Sequence, residues 1–219
     1  MPSDTLTVTD NRTGRTYTLP IDGNAITATD LRQIKGPDDS ELISFDPALR
    51  NTATCRSAIT YLDGRAGTLR HRGYAIEDLA AQSSYLEVAY LILEGELPNR
   101  RQLEGWQAEL GRHALIHEYV TRFIDGFRYD AHPMGMLMST VAALSTFYPE
   151  AAEVDDPAVR RRQIVRLLGQ VPTLAAFAHR KRTGLPYVYP DLGLSYVGNF
   201  LSMMFRMTEL RYEADPAIE

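Results

Sequence analysis

Two histidines stand four positions apart, at His113 and His117, and Glu118 follows the second. On a helix this spacing would place both imidazoles on one face, as a pair of metal ligands requires. Zinc sites need three or four ligands, however, and the metalloprotease pattern has its glutamate directly after the first histidine. This sequence has Ala114 in that place, so we expect no metal site.

The other histidines are explained by local structure. His132 precedes Pro133, which suits a helix cap followed by proline at the first helical position. His179 suits a charge partner near a helix end. His71 belongs to the basic segment 70–73, Arg-His-Arg-Gly, which has the charge to bind an anion. Solvated loop charge is the more frequent explanation of such a run.

Patterns typical of nucleophilic catalysis and of nucleotide binding are missing. Ser139 and Ser195 lack the context of a nucleophile elbow, and Cys55 has no adjacent base. The glycines form neither GxGxxG nor GxxxxGK[ST], which disfavours a Rossmann or P-loop site. The methionines cluster on apolar segments, where core packing is a commoner role than ligand binding.

The composition is that of an ordinary globular protein, with 219 residues, 44% hydrophobic and 23% charged. A net charge of −5 argues against a general nucleic-acid partner, which would need clustered Lys and Arg. Cys55 is the only cysteine, so an intrachain disulfide is impossible. The first ten residues contain neither a basic region nor an apolar run. We therefore expect a cytoplasmic protein with no membrane partner.

Two hairpins are predicted near the start of the chain. Residues 6–9 and 16–19 alternate in polarity around the polar turn 10–14. Residues 59–62 lead into Asp63-Gly64, a pair that tolerates tight turns, and residues 67–69 follow. The β segments are short, so they predict a small β-rich part attached to something mostly helical.

Helix signals dominate from Ser84 onward. Ser84 and Glu87 form a capping box, and Gly95 stands where the helix would stop. Further helix starts are predicted at Asn99, with a break near Gly111, and at His132, Asp156 and Ser195. Val171-Pro172 is expected to interrupt the helix that begins at Asp156. The pattern predicts a mainly α fold with a β-rich start.

Three of these helices, beginning at Ser84, Met134 and Ser195, are apolar on nearly all sides. Residues 134–148 contain no charge, yet fifteen residues are too few to span a bilayer comfortably, so we expect a buried helix. Helices of this kind need cover on every side. Either another subunit or further chain is expected to supply it, and residues 215–219 look like the cap and first turn of another helix.

Twelve short segments, in one order between Phe45 and the last residue, resemble the bacterial branch of the citrate synthase family. They are FDP (45–47), ITYLDG (59–64), LRHRGY (69–74), YLEVAY (85–90), GELP (95–98), RH and HE (112–113, 117–118), AHPM (131–134), LL and PT (167–168, 172–173), GLPYVYP (184–190) and SYVGNFL (195–201). Many matches in one order are far more specific than any single motif.

The resemblance implies a multi-helical large domain, incomplete here, preceded by a small β-rich segment like that of the hexameric bacterial type. We expect residues 1–50 to form that segment and residues 51–219 the first half of the large domain. The smaller domain that closes over the substrates would be absent from the chain. Family members work as homodimers or hexamers, which would bury the apolar helices between subunits.

The resemblance further implies an acyltransferase that condenses acetyl-CoA with oxaloacetate to citrate and CoA in the tricarboxylic acid cycle. Acetyl-CoA is a substrate, and no cofactor or metal is implied. The family's catalytic residues would all follow Glu219, so we assign none within residues 1–219 and expect the chain alone to be inactive. The alternatives are a 2-methylcitrate synthase using propionyl-CoA and, from another class, a catalytically inactive assembly module of the same fold.

One regulatory feature is also implied. Some hexameric members are inhibited by NADH, and this chain resembles them at Arg112, His113, Tyr148 and Arg166. Arginine and histidine donors with an aromatic ring suit a phosphate-bearing dinucleotide. The sensitive relatives carry a lysine where this chain has Gln170 and a cysteine where it has Glu209. Both differences make the site less positive, so we expect NADH to bind weakly or not at all. The alternative is that Arg112 and Arg166 make surface or interface ion pairs.

Overall fold

The computed structural model describes residues 4–207, 212–215, 217 and 218. The chain separates into two compact units, Met1–Ala58 and Ile59–Glu219. The secondary structure is mainly α-helical with two small antiparallel sheets, so the predicted fold class is confirmed.

The first unit contains a three-stranded antiparallel sheet in the order β1 (Thr5–Asp10), β2 (Arg15–Asp22) and β3 (Ala25–Ile26). The turn between β1 and β2 closes because the Asp10 carbonyl accepts from the amides of Thr13 and Gly14, and Gly14 takes φ +71°. A 3₁₀ helix at Ala28–Gln33 follows. The predicted first hairpin is confirmed.

The second unit opens with β4 (Thr60–Asp63), β5 (Thr68–His71) and β6 (Tyr74–Ala75), again antiparallel and in chain order. The Asp63 side chain accepts from the amides of Arg65 and Ala66 and thereby shapes the turn between β4 and β5. The predicted second hairpin is therefore confirmed.

Seven α-helices lie in the described part of this unit. They are α1 (Ile76–Gln82), α2 (Tyr85–Glu94), α3 (Arg100–Arg112), α4 (Glu118–Asp125), α5 (Pro133–Leu144), α6 (Pro157–Thr183) and α7 (Tyr196–Phe205), with a 3₁₀ helix at Pro149–Ala152. Each N-cap side chain predicted from the sequence accepts a hydrogen bond from a backbone amide in the first turn of its helix. These residues are Ser84, Asn99, His132, Asp156 and Ser195.

Helix α5 is shorter than predicted. It ends at Leu144 rather than continuing to Tyr148. The hydroxyls of Ser145 and Thr146 donate to the carbonyls of Ala142 and Ala143, which occupies acceptors at the helix end. Tyr148 also precedes Pro149, a position from which the helical conformation is disfavoured.

The expected break at Pro172 is wrong, because α6 runs without interruption from Pro157 to Thr183. Proline has no amide hydrogen, so the Leu168 carbonyl, four residues earlier, loses its usual backbone donor. The hydroxyl of Tyr196 on α7 donates to that carbonyl at 2.7 Å. A side chain from another helix thus supplies the hydrogen bond that the proline removes.

Helix α6 contributes to both hydrophobic clusters of this unit. Its first half supplies Val165 to a cluster with Leu86, Trp106 and Leu110. Its second half supplies two residues to the other cluster, which comprises Ile116, Val120, Ile124, Leu144, Leu174 and Phe177. The end of α3 crosses α6 at Gly169, where an added Cβ would lie 2.8 Å from the Leu110 carbonyl oxygen. Only glycine allows this approach.

Large apolar side chains of α2, α5 and α7 lie exposed in the chain by itself. Examples are Tyr85, Met134, Met138 and Phe205. Helix α5 was expected to be buried. One side of it is buried, at Met136, Thr140 and Leu144, and its other side is exposed. Among the residues that the structure describes, no helix has both the length and the apolar character needed to cross a membrane.

We predict that the Tyr196 hydroxyl and Pro172 are energetically coupled. Tyr196→Phe leaves the Leu168 carbonyl without its donor and should lower the free energy of unfolding by about 1 to 2 kcal/mol. In a Pro172→Ala background the restored amide serves that carbonyl, so the same substitution should cost clearly less. Urea unfolding of the wild type, the two single variants and the double variant measures the coupling. Tyr129→Phe, at an exposed tyrosine, is the matched control. Equal losses in both backgrounds would contradict the assignment.

Candidate functional site

Arg166 lies on α6 with its guanidinium stacked on Tyr148. The guanidinium carbon is 3.7 Å from the centre of the Tyr148 ring, and the Arg166 side chain is 12% exposed. Tyr148 directly precedes the 3₁₀ helix that starts at Pro149. A partly desolvated cation on an aromatic face is a favourable arrangement in itself.

The positive charge of Arg166 already has partners in the chain. Its Nη1 donates to Glu150 Oε1 at 3.0 Å and to Gln163 Oε1 at 3.1 Å. The hydrogen bond from Arg166 lowers the pKa of Glu150, so this carboxylate is ionised at neutral pH. An anionic ligand would have to compete with Glu150 for the guanidinium.

Gln170 lies one helical turn beyond Arg166 on α6 and is 2% exposed. Its Nε2 donates to the Tyr148 hydroxyl at 2.8 Å and contacts the Leu115 carbonyl at 3.4 Å. Its Oε1 is buried without a hydrogen-bond partner in the described structure. The amide is thus held by protein contacts, and it supplies no charge at the position where relatives sensitive to NADH are expected to have lysine.

Tyr148, Arg166 and Gln170 line a cavity of about 310 Å³ between the end of α5 and the first half of α6. Most of its other walls are apolar, with Val141, Leu144, Val159 and Leu167 among them. A cavity with apolar walls and a few polar groups is the usual form of a small-molecule site.

The remaining two predicted residues sit at the end of α3. Arg112 lines a different cavity of about 780 Å³, whose walls come mainly from α3, α6, α7 and the loop before α7. His113 caps the carboxyl end of α3 and lies against Gly169 of α6. Desolvation lowers the pKa of His113, and the positive charges of Arg166 and Arg112 lower it further. Its neutral form is therefore favoured at pH 7.

The structure thus divides the predicted effector set. Tyr148 and Arg166 are in contact and line one cavity, whereas Arg112 lines another. The positive charges of both arginines lower the pKa of His113. Sequence reasoning missed Glu150, the acidic partner of Arg166, because the two are sixteen residues apart and no motif joins them. Glu209 lies outside the described residues.

The histidine pair does not share a helix face. His113 ends α3, whereas His117 begins α4 and accepts the Tyr119 amide through Nδ1. In the described ranges no group of three or more His, Cys, Asp or Glu side chains could hold a metal ion. The basic segment 70–73 is not a free loop either, since Arg72 donates to the Ile92 carbonyl at 2.8 Å.

Arg180 was also not singled out from the sequence. The residue is 1% exposed, and its guanidinium donates to main-chain carbonyls around α7. Burial lowers its pKa from the usual arginine range. The sequence signal was present only indirectly, as an arginine preceding the helix stop at Gly184 by four positions.

Comparison with known proteins identifies the scaffold that carries these residues. The family model described as citrate synthase, C-terminal domain, matches residues 48–219. The chain belongs to the citrate synthase family. It is 47% identical to a citrate synthase of Dictyostelium discoideum and 46% identical to a peroxisomal citrate synthase of the same organism, over 98% of this chain in both cases.

Solved structures agree. The crystal structure of citrate synthase from Pyrobaculum aerophilum superposes with a TM-score of 0.70 at 31% identity, covering 84% of this chain and 45% of that one. The two Dictyostelium relatives are covered over 44% and 45% of their lengths. The chain therefore spans less than half the length of these citrate synthases.

Proposed function

We propose that the chain is the first part of a citrate synthase whose complete polypeptide condenses acetyl-CoA with oxaloacetate in the tricarboxylic acid cycle. The observation that carries this proposal is the 47% identity over 98% of the chain to a citrate synthase, together with the matching helical scaffold. Residues 1–219 form part of the scaffold, and the reacting groups are expected after Glu219. The chain alone is then inactive.

The open side of α5 supports a homo-oligomer. Gly135, Met138, Ser139 and Ala142 are exposed at positions i, i+3, i+4 and i+7, so they share one helix face. Gly, Ser and Ala permit close approach of a second helix, and Met138, 68% exposed, can fill the gap between them. No charge interrupts the helix. We propose that this face packs against a second copy in a homodimer or in a hexamer built from dimers.

We propose the cytoplasm as the compartment of the complete protein. One of the compared relatives is named as a peroxisomal form. Fluorescence microscopy of the tagged protein in its own cells separates the two locations.

The activity is tested with the complete reading frame that contains residues 1–219. We expect CoA release from acetyl-CoA only when oxaloacetate is present, because the enol of acetyl-CoA needs that acceptor. Residues 1–219 expressed alone should release none. Absence of activity from the complete, folded product would contradict the enzyme proposal.

Two further outcomes separate the alternatives. A higher kcat/KM with propionyl-CoA than with acetyl-CoA would favour a 2-methylcitrate synthase. If residues 1–219 expressed alone form a monodisperse oligomer in light scattering, the assembly module is favoured.

The oligomer proposal predicts that Met138→Glu dissociates the complete protein. A carboxylate in a tightly packed apolar interface is strongly destabilising, because it is desolvated without a partner. Light scattering should show the mass falling toward that of one chain. Leu115→Glu, at an equally apolar position that is 60% exposed outside α5, is the matched control and should keep the original mass. An unchanged mass in Met138→Glu would place the interface elsewhere.

We propose that NADH does not regulate the complete enzyme in the micromolar range. Glu150 neutralises Arg166, and Gln170 adds no charge beside it. Losing one cation and gaining the anion of Glu209 each cost on the order of 1 kcal/mol, which together means about tenfold weaker binding or more. NADH is titrated against CoA release at low ionic strength. Micromolar inhibition that disappears in Arg166→Ala but persists in the exposed Arg162→Ala would refute the proposal.

A further inference from the structure

Helix α7 ends without the device that ends α2 and α6. Those two helices stop at Gly95 and Gly184, each in the left-handed conformation. The residue after α7 is Arg206, with φ −59° and ψ 125°, so no left-handed residue closes its last turn. The final carbonyls of a helix lack intrahelical donors and need partners from elsewhere.

Arg180 of α6 supplies those partners. Its Nη1 donates to the carbonyls of Arg206 at 3.1 Å, Met204 at 3.2 Å and Met203 at 3.4 Å. The side chain is 1% exposed, so these bonds form away from competing water. A buried cation at the carboxyl end of a helix also interacts favourably with the negative end of the helix dipole.

The same guanidinium holds a second piece of main chain. Its Nε donates to the carbonyl of Pro186, in the segment that leads away from α6. The Leu185 amide in turn donates to the Arg180 carbonyl at 2.9 Å. One planar side chain therefore ties the exit of α6 to the exit of α7. Lysine could not reproduce this, because its single ammonium has no rigid fork of donors.

We propose that Arg180 is a positioning residue: its buried guanidinium sets the direction in which the chain leaves α7 at Arg206, and through that direction the placement of the reacting groups that follow. This inference rests on the proposed function, in which those groups lie beyond Glu219. Arg180 is 1% exposed and its guanidinium donates to main-chain carbonyls, so it acts through the segments that it holds.

The test uses the complete protein with Arg180→Lys and Arg180→Met, and with Arg182→Lys as the matched control. Arg182 is exposed two positions later on the same helix. Because displacements of about 1 Å can cost up to ~10²-fold in rate, we expect kcat per folded enzyme to fall at least about tenfold in Arg180→Met. Arg180→Lys should lose less, and the control should match the wild type.

A second measurement separates this proposal from the assignment of the enzyme. Hydrogen exchange of peptides covering residues 202–207 should be faster in Arg180→Lys than in the wild type or in Arg182→Lys, whether or not the protein shows citrate synthase activity. Failure of the wild type to release CoA would count against the proposed function alone. If Arg180→Met does not fold, Arg180→Lys carries both measurements.

Two results would overturn the role of Arg180. One is exchange at residues 202–207 that does not change in Arg180→Lys. The other is a merely structural effect, in which Arg180→Lys and the folded fraction of Arg180→Met keep the wild-type kcat and KM while only the melting temperature falls.

Discussion

The hydrogen bond from the Tyr196 hydroxyl to the Leu168 carbonyl joins α7 to α6 beside the proline inside α6. It satisfies the acceptor that Pro172 leaves without a backbone donor and so lets α6 continue for 27 residues. The two hydrophobic clusters lie at either side of that proline along α6, with Val165 before it and Phe177 after it. A helix broken at Pro172 would not connect the two clusters. Helix α7 packs against α6 where the Tyr196 hydroxyl replaces the missing backbone donor.

Two arginines of α6 show how differently a desolvated cation can be used. Arg166 pairs with the carboxylate of Glu150 and stacks on Tyr148, which leaves a neutralised group at the edge of a cavity. Arg180 is more deeply buried and donates to carbonyls at the exits of two helices. Charge-assisted bonds of both kinds are strong. The first limits what an anion can gain at the cavity, whereas the second orients main chain.

The apolar surface that remains open has a direct energetic meaning. Each Å² of apolar area removed from water is worth roughly 25 cal/mol, so exposed side chains such as Met138 and Phe205 represent stabilisation not realised within this chain. The two Dictyostelium relatives are more than twice as long as the chain and have further polypeptide to place against such a scaffold. The small residues beside Met138 on α5 suit close helix packing, which fits a contact between copies.

The sequence by itself determined what depends on neighbouring residues. The hairpins, the capping side chains of five helices and the family were predictable, because turns, caps and segment order are local or linear signals. Only the tertiary structure decided the rest. The Tyr196 hydroxyl supplies the hydrogen bond that is lost at Pro172, 24 positions earlier. Glu150 pairs with Arg166, a residue that the sequence predicts to bind an effector. Arg180 is buried against the end of α7. Each of these outcomes turns on a partner supplied by another element, and local propensity carries no information about such partners.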